Sequence, residues 1–523
     1  MTSLWLERSR TTPTDDFVPD ALYDVVIVGA GLTGLVTGLL FVRAGMRVAI
    51  LEARHIGAAA TGNTTGKVSL LQGKHLSGIL RHTTLKTAQA YVDGNREGME
   101  WLLRYCRQHG VAVQRRDAYS YASTPRGVDR VEEEFRAGRS LGLDVTRDSA
   151  LDVSFPTFGA VKLSDQAQFD PLDVLDALAR DFRSHGGQLI EGTRVRSVRP
   201  SPLSKPSSPS RVSGDRGVVF GDRVILATGT PFLDRGLYFA KQQALRSYAL
   251  AFRVPGPTPD GMFLSVDEPS RSVRTAPIDG DERLLVGGNG HPVGRAESPL
   301  ALIDDLAAWT ERYFPGAERT ATWSAQDYRT ASGIPFVGWM PRARKKVYFA
   351  SGYDKWGMTN AVACSLTLAS DILGGNLPWS QKLHRRVTTP ADAGTFIGAN
   401  AAVGVAAVRG YLAAWSRSTP AQPPADGRGV VSHHGILPVG VSTVAGDTCT
   451  VSAVCPHLAG VLTWNDAERS WDCPLHGSRF AASGELLEGP AKGDLRRIAR
   501  SVTSRSTLPS ETVPTPAPGT SAS

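Results

Sequence analysis

The sequence predicts an α/β nucleotide-binding domain followed by a small all-β domain. Two apolar runs, Tyr23–Val28 and Arg47–Glu52, flank a glycine-rich turn and a segment with helical spacing, the pattern of a βαβ unit. Far downstream, Arg417–Arg428 shifts to Ser, Pro, Ala and Gly and reads as an interdomain linker. Beyond it, short β-like segments separated by turn residues run to Ile498 and carry two Cys/His pairs.

The elements justify that reading in order. Tyr23–Val28 leads straight into glycine and reads as a buried parallel strand; Gly31–Ala44 has helical spacing, and Arg47–Glu52 is a second buried strand. Asp173–Ser184 predicts an amphipathic helix, Gln188–Val198 a strand, and the Ser/Pro-rich Ser201–Gly214 a surface loop. Arg223–Ala227 is another buried strand, closed by Thr228 and Gly229. Val347–Ala350 is a strand, and Gly357–Leu373 a helix entered through a glycine-containing turn. Ile397–Trp415 is the longest apolar stretch, but it carries Asn400 and Arg409 and is rich in Gly and Ala. It predicts a packing or linker helix, not the run of ~20 strongly apolar residues of a membrane span. Thr503–Ser523, rich in Ser, Thr and Pro, is expected to be disordered.

Composition narrows the function classes. With 523 residues, 41% hydrophobic and 21% charged, the chain is ordinary globular protein. Its net charge of +8 comes mostly from scattered arginines, without basic runs interleaved with aromatics, so nucleic acid is not an expected partner. Met1–Arg10 has neither an apolar h-region nor a twin-arginine pair. The five cysteines (Cys106, Cys364, Cys449, Cys455, Cys473) are too few and uneven for a disulfide framework. A reducing, cytoplasmic setting is expected.

The first motif is Gly29-x-Gly31-x-x-Gly34, extended by Gly38. It follows a strand, opens a helix, and precedes Glu52 and Ala53 at the end of the next strand, the context of a Rossmann-like dinucleotide site. The first glycine permits the turn, the second lets backbone approach a pyrophosphate, and the third lets helix and strand pack. The helix start, with Leu32 and Thr33, offers free N–H groups and a positive dipole end to phosphates. Glu52 is placed to accept from a ribose.

From Ala21 to Gly375 the layout resembles the D-amino-acid oxidase and glycine oxidase (DAO) superfamily. That resemblance implies an FAD-binding part with a mixed-sheet substrate part, of the DAO/glutathione-reductase type. It also implies which residues meet FAD. The loop Ala60–Lys67, with Thr61, Gly62, Thr64, Thr65 and Lys67, corresponds to the flavin-contacting loop. Val195 matches the strand whose backbone meets adenine, and Ala227, Thr228 and Gly229 the second strand-turn beside the cofactor. Ser351–Asn360 resembles the C-terminal FAD element, so Gly352, Lys355, Trp356, Gly357, Met358 and Thr359 are assigned to it. There a helix N-terminus faces the isoalloxazine. One departure stands out: where glycine-oxidase-like relatives place an arginine for the substrate carboxylate, the spacing gives Asp327. The expectation is an amine-type substrate without an anchored α-carboxylate, or an Asp327 turned elsewhere, toward Arg329 or Arg246.

The second motif is Cys455-x-His457 with Cys473-x-x-His476. Two thiolates on one iron and two imidazoles on the other is the ligand set of a Rieske [2Fe–2S] centre. Zinc could use mixed Cys/His ligands too, but Pro474–Ala491 resembles Rieske proteins and favours the cluster. Respiratory Rieske proteins carry two further cysteines in a disulfide; the matching positions here are Gly460 and Leu475. Their cluster-bonding tyrosine corresponds to Phe480. Fewer hydrogen bonds to sulfur lower the potential, which is expected in the lower part of a range of roughly −150 to +300 mV. The flavin-type and cluster motifs together resemble bacterial FAD-dependent oxidoreductases carrying this fusion over nearly the whole chain.

The expected organisation is an oxidoreductase domain over 1–385, with FAD-binding parts at about 21–75, 186–230 and 330–375. A helix and linker follow at 386–428, the Rieske domain at 429–502, and a tail at 503–523. The expected activity is oxidation of an amine or amino-acid-like C–N bond by hydride transfer to FAD. Electrons then leave singly through the cluster to a protein or quinone acceptor, a dehydrogenase pattern more than an oxidase one. Two alternatives stand: the cluster receives electrons and the flavin reduces a substrate or O₂, or the chain is a redox carrier or sensor without a substrate. A Rieske non-haem iron oxygenase does not fit, because no histidine follows His476. Candidates for the chemistry are Asp327, Tyr328, Arg246 and Lys355, with Lys67, Tyr248 and His291 in neighbouring segments. His55 and His75 flank the flavin loop and are the nearest histidines to it. His433 and His434 lack ligand spacing.

Overall fold

In the computed structural model the protein is described over residues 1–8, 12–201, 205, 207–385 and 390–498. The expected tail, the 386–389 start of the linker region and 499–502 lie outside the described residues.

The nucleotide-binding sheet takes two of its central strands from the N-terminal βαβ unit. Its order is Phe336–Trp339, Val347–Ser351, Gly217–Leu226, Leu22–Val28, Val48–Leu51, Gln188–Ile190. All neighbours are parallel except the Phe336–Trp339 edge. Val25, Val26 and Ile27 are fully buried, because both faces of a parallel sheet are covered and every side chain must be apolar. The Leu32–Arg43 helix packs against Gly357–Leu373, where Thr37 Oγ1 donates to Ser365 Oγ at 2.9 Å.

Two sequence expectations need correction. Gln188–Val198 is not one strand: Glu191–Arg194 interrupts Gln188–Ile190 and Val195–Arg199, with Gly192 at φ +61° turning the chain. The end of the expected Ser201–Gly214 loop is also a strand, Ser210–Gly214, paired antiparallel with Gly217–Leu226. That short hairpin masks its β-propensity behind Ser and Pro.

A nine-stranded sheet forms the roof. Its longest strands, Gln242–Arg253 and Glu318–Thr330, pair antiparallel and continue into Asp281–Pro292. The C-terminal domain has two small antiparallel sheets, Gly429–Ser452 in three strands and Thr463–Glu488 in four. Its own core holds Trp471, Phe480 and Leu486. The preceding helix, Pro390–Trp415, lies on this domain: Tyr411 donates to the Ala459 carbonyl at 3.0 Å. Among the described residues no helix is long and apolar enough to cross a membrane.

Candidate functional site

A cavity of about 430 Å³ opens between the two large sheets, lined from the glycine turn to the C-terminal domain. At one end Gly29 holds φ +109°, and a Cβ there would lie 2.5 Å from the Ala227 carbonyl oxygen, so only glycine fits. A Cβ on Gly34 would lie 1.9 Å from the Gly29 carbonyl oxygen; this glycine serves helix–strand packing behind the wall. Glu52 stands at the mouth of the turn, accepting from Ala30 N and Arg54 N, both at 2.9 Å, which fixes its carboxylate toward the cavity. Thr61 Oγ1 accepts from Leu32 N at 3.2 Å, and Thr33 bonds Tyr353 OH at 2.8 Å.

The loop Thr61–Thr65 is held from behind, carbonyl by carbonyl. Ser3 Oγ donates to Gly62 O at 2.5 Å, Trp323 Nε1 to Asn63 O at 2.9 Å, Trp5 Nε1 to Thr64 O at 2.7 Å, and Arg274 to Thr65 O at 2.5 Å. Those four bonds leave the other side of the loop to the cavity, which Thr61, Thr64, Thr65 and Lys67 line. Ala53, Val195, Ala227, Thr228, Gly229, Lys355, Trp356, Gly357 and Met358 line it too.

Four of the expected cofactor contacts are second-row. Gly34 packs on Gly29. Gly62 packs on Gly57, whose carbonyl would meet a Cβ at 2.2 Å. Gly352 is pressed against Thr330 at 2.5 Å by the same measure. Thr359 donates to Asn95 at 2.5 Å in a buried polar row. Each shapes the wall without reaching the cavity.

The chemistry candidates divide sharply. Asp327 is not a free cation-holder: its Oδ1 accepts from Tyr328 N at 2.7 Å and its Oδ2 from Lys355 N at 2.5 Å. Burial raises it to about 6. Tyr328 lines the cavity, but its hydroxyl accepts from Gln326 and burial pushes its pKa far up, so it stays neutral. Arg246 does not face substrate. It is buried, bonded to Ser324 at 2.5 Å and ion-paired with Glu468 and Glu488 of the C-terminal domain. His291 stacks on Tyr248 with its Nδ1 on the Asn289 carbonyl, outside the lining.

What opens into the cavity is a pair of lysines. Lys67 Nζ donates to Ser272, and desolvation followed by the charges of Arg274 and Lys355 push it down to about 7. Lys355 reaches toward Ser247, in space that a side chain at Gly290 would fill: a Cβ there would lie 2.6 Å from its Nζ. Desolvation of its ammonium lowers Lys355 as well, against the raising charges of Asp354, Glu268 and Asp327, although the residue itself is exposed. Among the described residues neither lysine is ion-paired, although those charges act on Lys355. The sequence reading missed Asp354, a buried carboxylate on the same wall. Burial raises its carboxyl, but the His75 hydrogen bond and the Arg329 charge, at 3.4 and 2.9 Å, hold it well below the usual range. His75 also engages Gly333 O at 3.1 Å, so both ring nitrogens are occupied. Only long-range packing brings these groups together.

The second site lies in the C-terminal domain. Cys455–His457 and Cys473–His476 occupy two loops closed by Cys455 N to Gly460 O at 2.8 Å and Cys473 N to Ser478 O at 2.8 Å. Both thiols are buried and in contact, and the Ser478 hydroxyl reaches Cys455. The imidazoles stand 5.2 Å apart. Burial lowers both, His476 to about 4, keeping the neutral form that ligates metal. His476 Nδ1 is buried without a hydrogen-bond partner. Leu475 fills the space beside Gly460, where a Cβ would lie 2.6 Å from its Cδ1.

The two sites adjoin. Phe239 sets its ring edge-on to His457 and His476 at 4.7 and 4.8 Å, and Asp234 lies 3.4 Å from His457 Nε2. Gln326 Nε2 donates to Tyr328 OH at 2.8 Å and to the Gly477 carbonyl at 2.7 Å, joining the cavity wall to the cluster loop.

Comparison with known proteins agrees with this architecture. Residues 24–370 match the DAO family, described as FAD dependent oxidoreductase, and residues 431–499 the Rieske [2Fe-2S] domain. Over 490 residues the chain is 30% identical to Bacillus subtilis (strain 168) YhfW, named as a Rieske 2Fe-2S iron-sulfur protein, covering 92% of this chain and 94% of that one. It is 24% identical to Bacillus licheniformis glycine oxidase, over 67% of this chain and 93% of that protein. The glycine oxidase structure from Geobacillus kaustophilus shares the fold at a TM-score of 0.57 and 20% identity, covering 68% of this chain and 96% of that one.

Proposed function

The chain belongs to the DAO family of FAD-dependent oxidoreductases and ends in a Rieske [2Fe–2S] domain, and from that premise we propose that it dehydrogenates an amino-acid-like amine whose carboxylate sits between Lys67 and Lys355. The FAD of the family supplies a hydride acceptor, and the cluster a one-electron exit toward an external acceptor. The carrying observation is the pair of lysines opening into one cavity, neither of them ion-paired among the described residues, although the charges of Asp354, Glu268 and Asp327 act on Lys355. Two cations there suit an anion, and the oxygens of Asp327 are already taken by backbone N–H groups. This reading departs from the expectation of a carboxylate-free amine. Tyr248 and Ser247 line the same region. The occupied nitrogens of His75 favour FAD held without a covalent link there. A cytoplasmic setting fits the free thiols.

Anaerobic mixing with a panel of amines and amino acids, following flavin bleaching, tests the reading. Amino acids should bleach the flavin far better than their amides, and Lys355→Met should remove that preference. Equal reduction by amides, or an unchanged preference in Lys355→Met, would refute it.

A further inference from the structure

The cavity is not built by the flavoprotein domain alone. Its wall includes Leu486, Leu487, Glu488, Gly489, Ala491 and Lys492, all from the C-terminal domain. They close the end where Glu52, Arg54, Arg194 and Val195 stand. This is the end that the acid after the second strand marks for a ribose.

The contact is specific. Arg194 Nη2 donates to Leu486 O at 2.8 Å, and Arg196 to Lys492 O at 3.0 Å. Lys492 pairs with Asp234 at 2.7 Å. Glu488 accepts from Arg246 at 3.0 Å and from Arg479 at 2.7 Å. The far side of the same segment rests on the cluster loop. Ala491 N donates to Ser478 Oγ at 3.1 Å, and a Cβ on Gly489, at φ +105°, would lie 2.5 Å from Ser478 Cα. One thickness of chain therefore separates the dinucleotide cavity from the residues around Cys473 and His476.

We propose that Leu486–Lys492 is a shared wall: it belongs to the FAD-binding site as well as to the Rieske fold, covering the adenosine end of FAD. FAD is then retained by both domains, and it leaves only when this segment moves.

The test uses the full-length holoprotein. Bound flavin per chain and the rate of FAD release on dilution, read by flavin fluorescence, are compared with the cluster's EPR signal. Leu487→Trp fills the wall position and Leu487→Ala opens it; neither touches a cluster ligand. The expected result is FAD release at least about tenfold faster in both variants, a change of roughly 1.4 kcal/mol, with the EPR signal unchanged. Wild-type release from both variants would overturn the proposal. Should Leu487→Trp lose the cluster as well, the release rate of the cluster-bearing Leu487→Ala decides.

Discussion

Arg246 on the roof strand Gln242–Arg253 donates from Nη1 to Glu488 Oε1 of the cluster domain at 3.0 Å, in a site where the arginine side chain is 4% exposed. Around this bond Glu468, Arg479 and Asp472 complete a buried row of alternating charge. Burial raises the two glutamates, but the charges of Arg246 and Arg479 outweigh it and hold both below the usual range.

Removing Arg246 leaves those glutamates with one cation. Breaking a buried pair costs about 3–5 kcal/mol. Arg246→Met is expected to loosen the cluster domain, seen as faster proteolysis within Arg417–Arg428 and an earlier thermal transition. Because the paired carboxyls lie below their ordinary values, the docking energy is full above about pH 5 and falls progressively as acid protonates them. Docking that is constant from pH 7 to pH 3, measured by the same proteolysis, would contradict the assignment.

A Lys67 near pH 7 predicts a visible pH dependence. The lysine is cationic below its pKa, so affinity for a carboxylate should weaken as pH rises through about 7. In Lys67→Arg, fixed in its charge, that weakening should vanish from the KM profile.

Phe480 is buried in the cluster domain's core beside Cys455 and Cys473. Phe480→Tyr should add a hydrogen bond toward the cluster sulfurs. A bond worth about 1 kcal/mol corresponds to a rise of about 40 mV for one electron. A redox titration with an unchanged or lower midpoint would show that the hydroxyl turns elsewhere.

Leu475 lies against Gly460, its Cγ 2.7 Å from where a Cβ at 460 would stand. The double variant Gly460→Cys with Leu475→Cys should therefore oxidise to a disulfide between the two cluster loops. Mass spectrometry would show a loss of two hydrogens, with no such loss in either single variant.

Trp5, 1% exposed, holds the loop carbonyl of Thr64. Trp5→Ala is expected to destabilise the fold by about 3–5 kcal/mol. Trp5→Phe keeps most of the packing and loses the bond, so it should weaken FAD retention with little change in thermal stability. Equal FAD retention in Trp5→Phe would show that the loop keeps its shape without the indole.

Both cofactor motifs were legible in the chain, because a phosphate turn and a pair of ligand loops are local: their residues are close in sequence and their spacing is the chemistry. Gly29–Gly34 with Glu52, and Cys455–His457 with Cys473–His476, need no distant partner to be read. The surroundings of the catalytic candidates were not legible, for the opposite reason. The spacing leaves Asp327 either open to a cation or turned toward an arginine, and only the fold shows it buried on the backbone N–H groups of Tyr328 and Lys355; Arg246 is a candidate for the chemistry whose partner Glu468 lies 222 positions away. Sequence fixes which groups exist and their short-range geometry. Which charges meet, which are consumed by one another, and which remain open to a cavity depends on how two domains dock, since burial and Coulomb partners are properties of the packed chain alone.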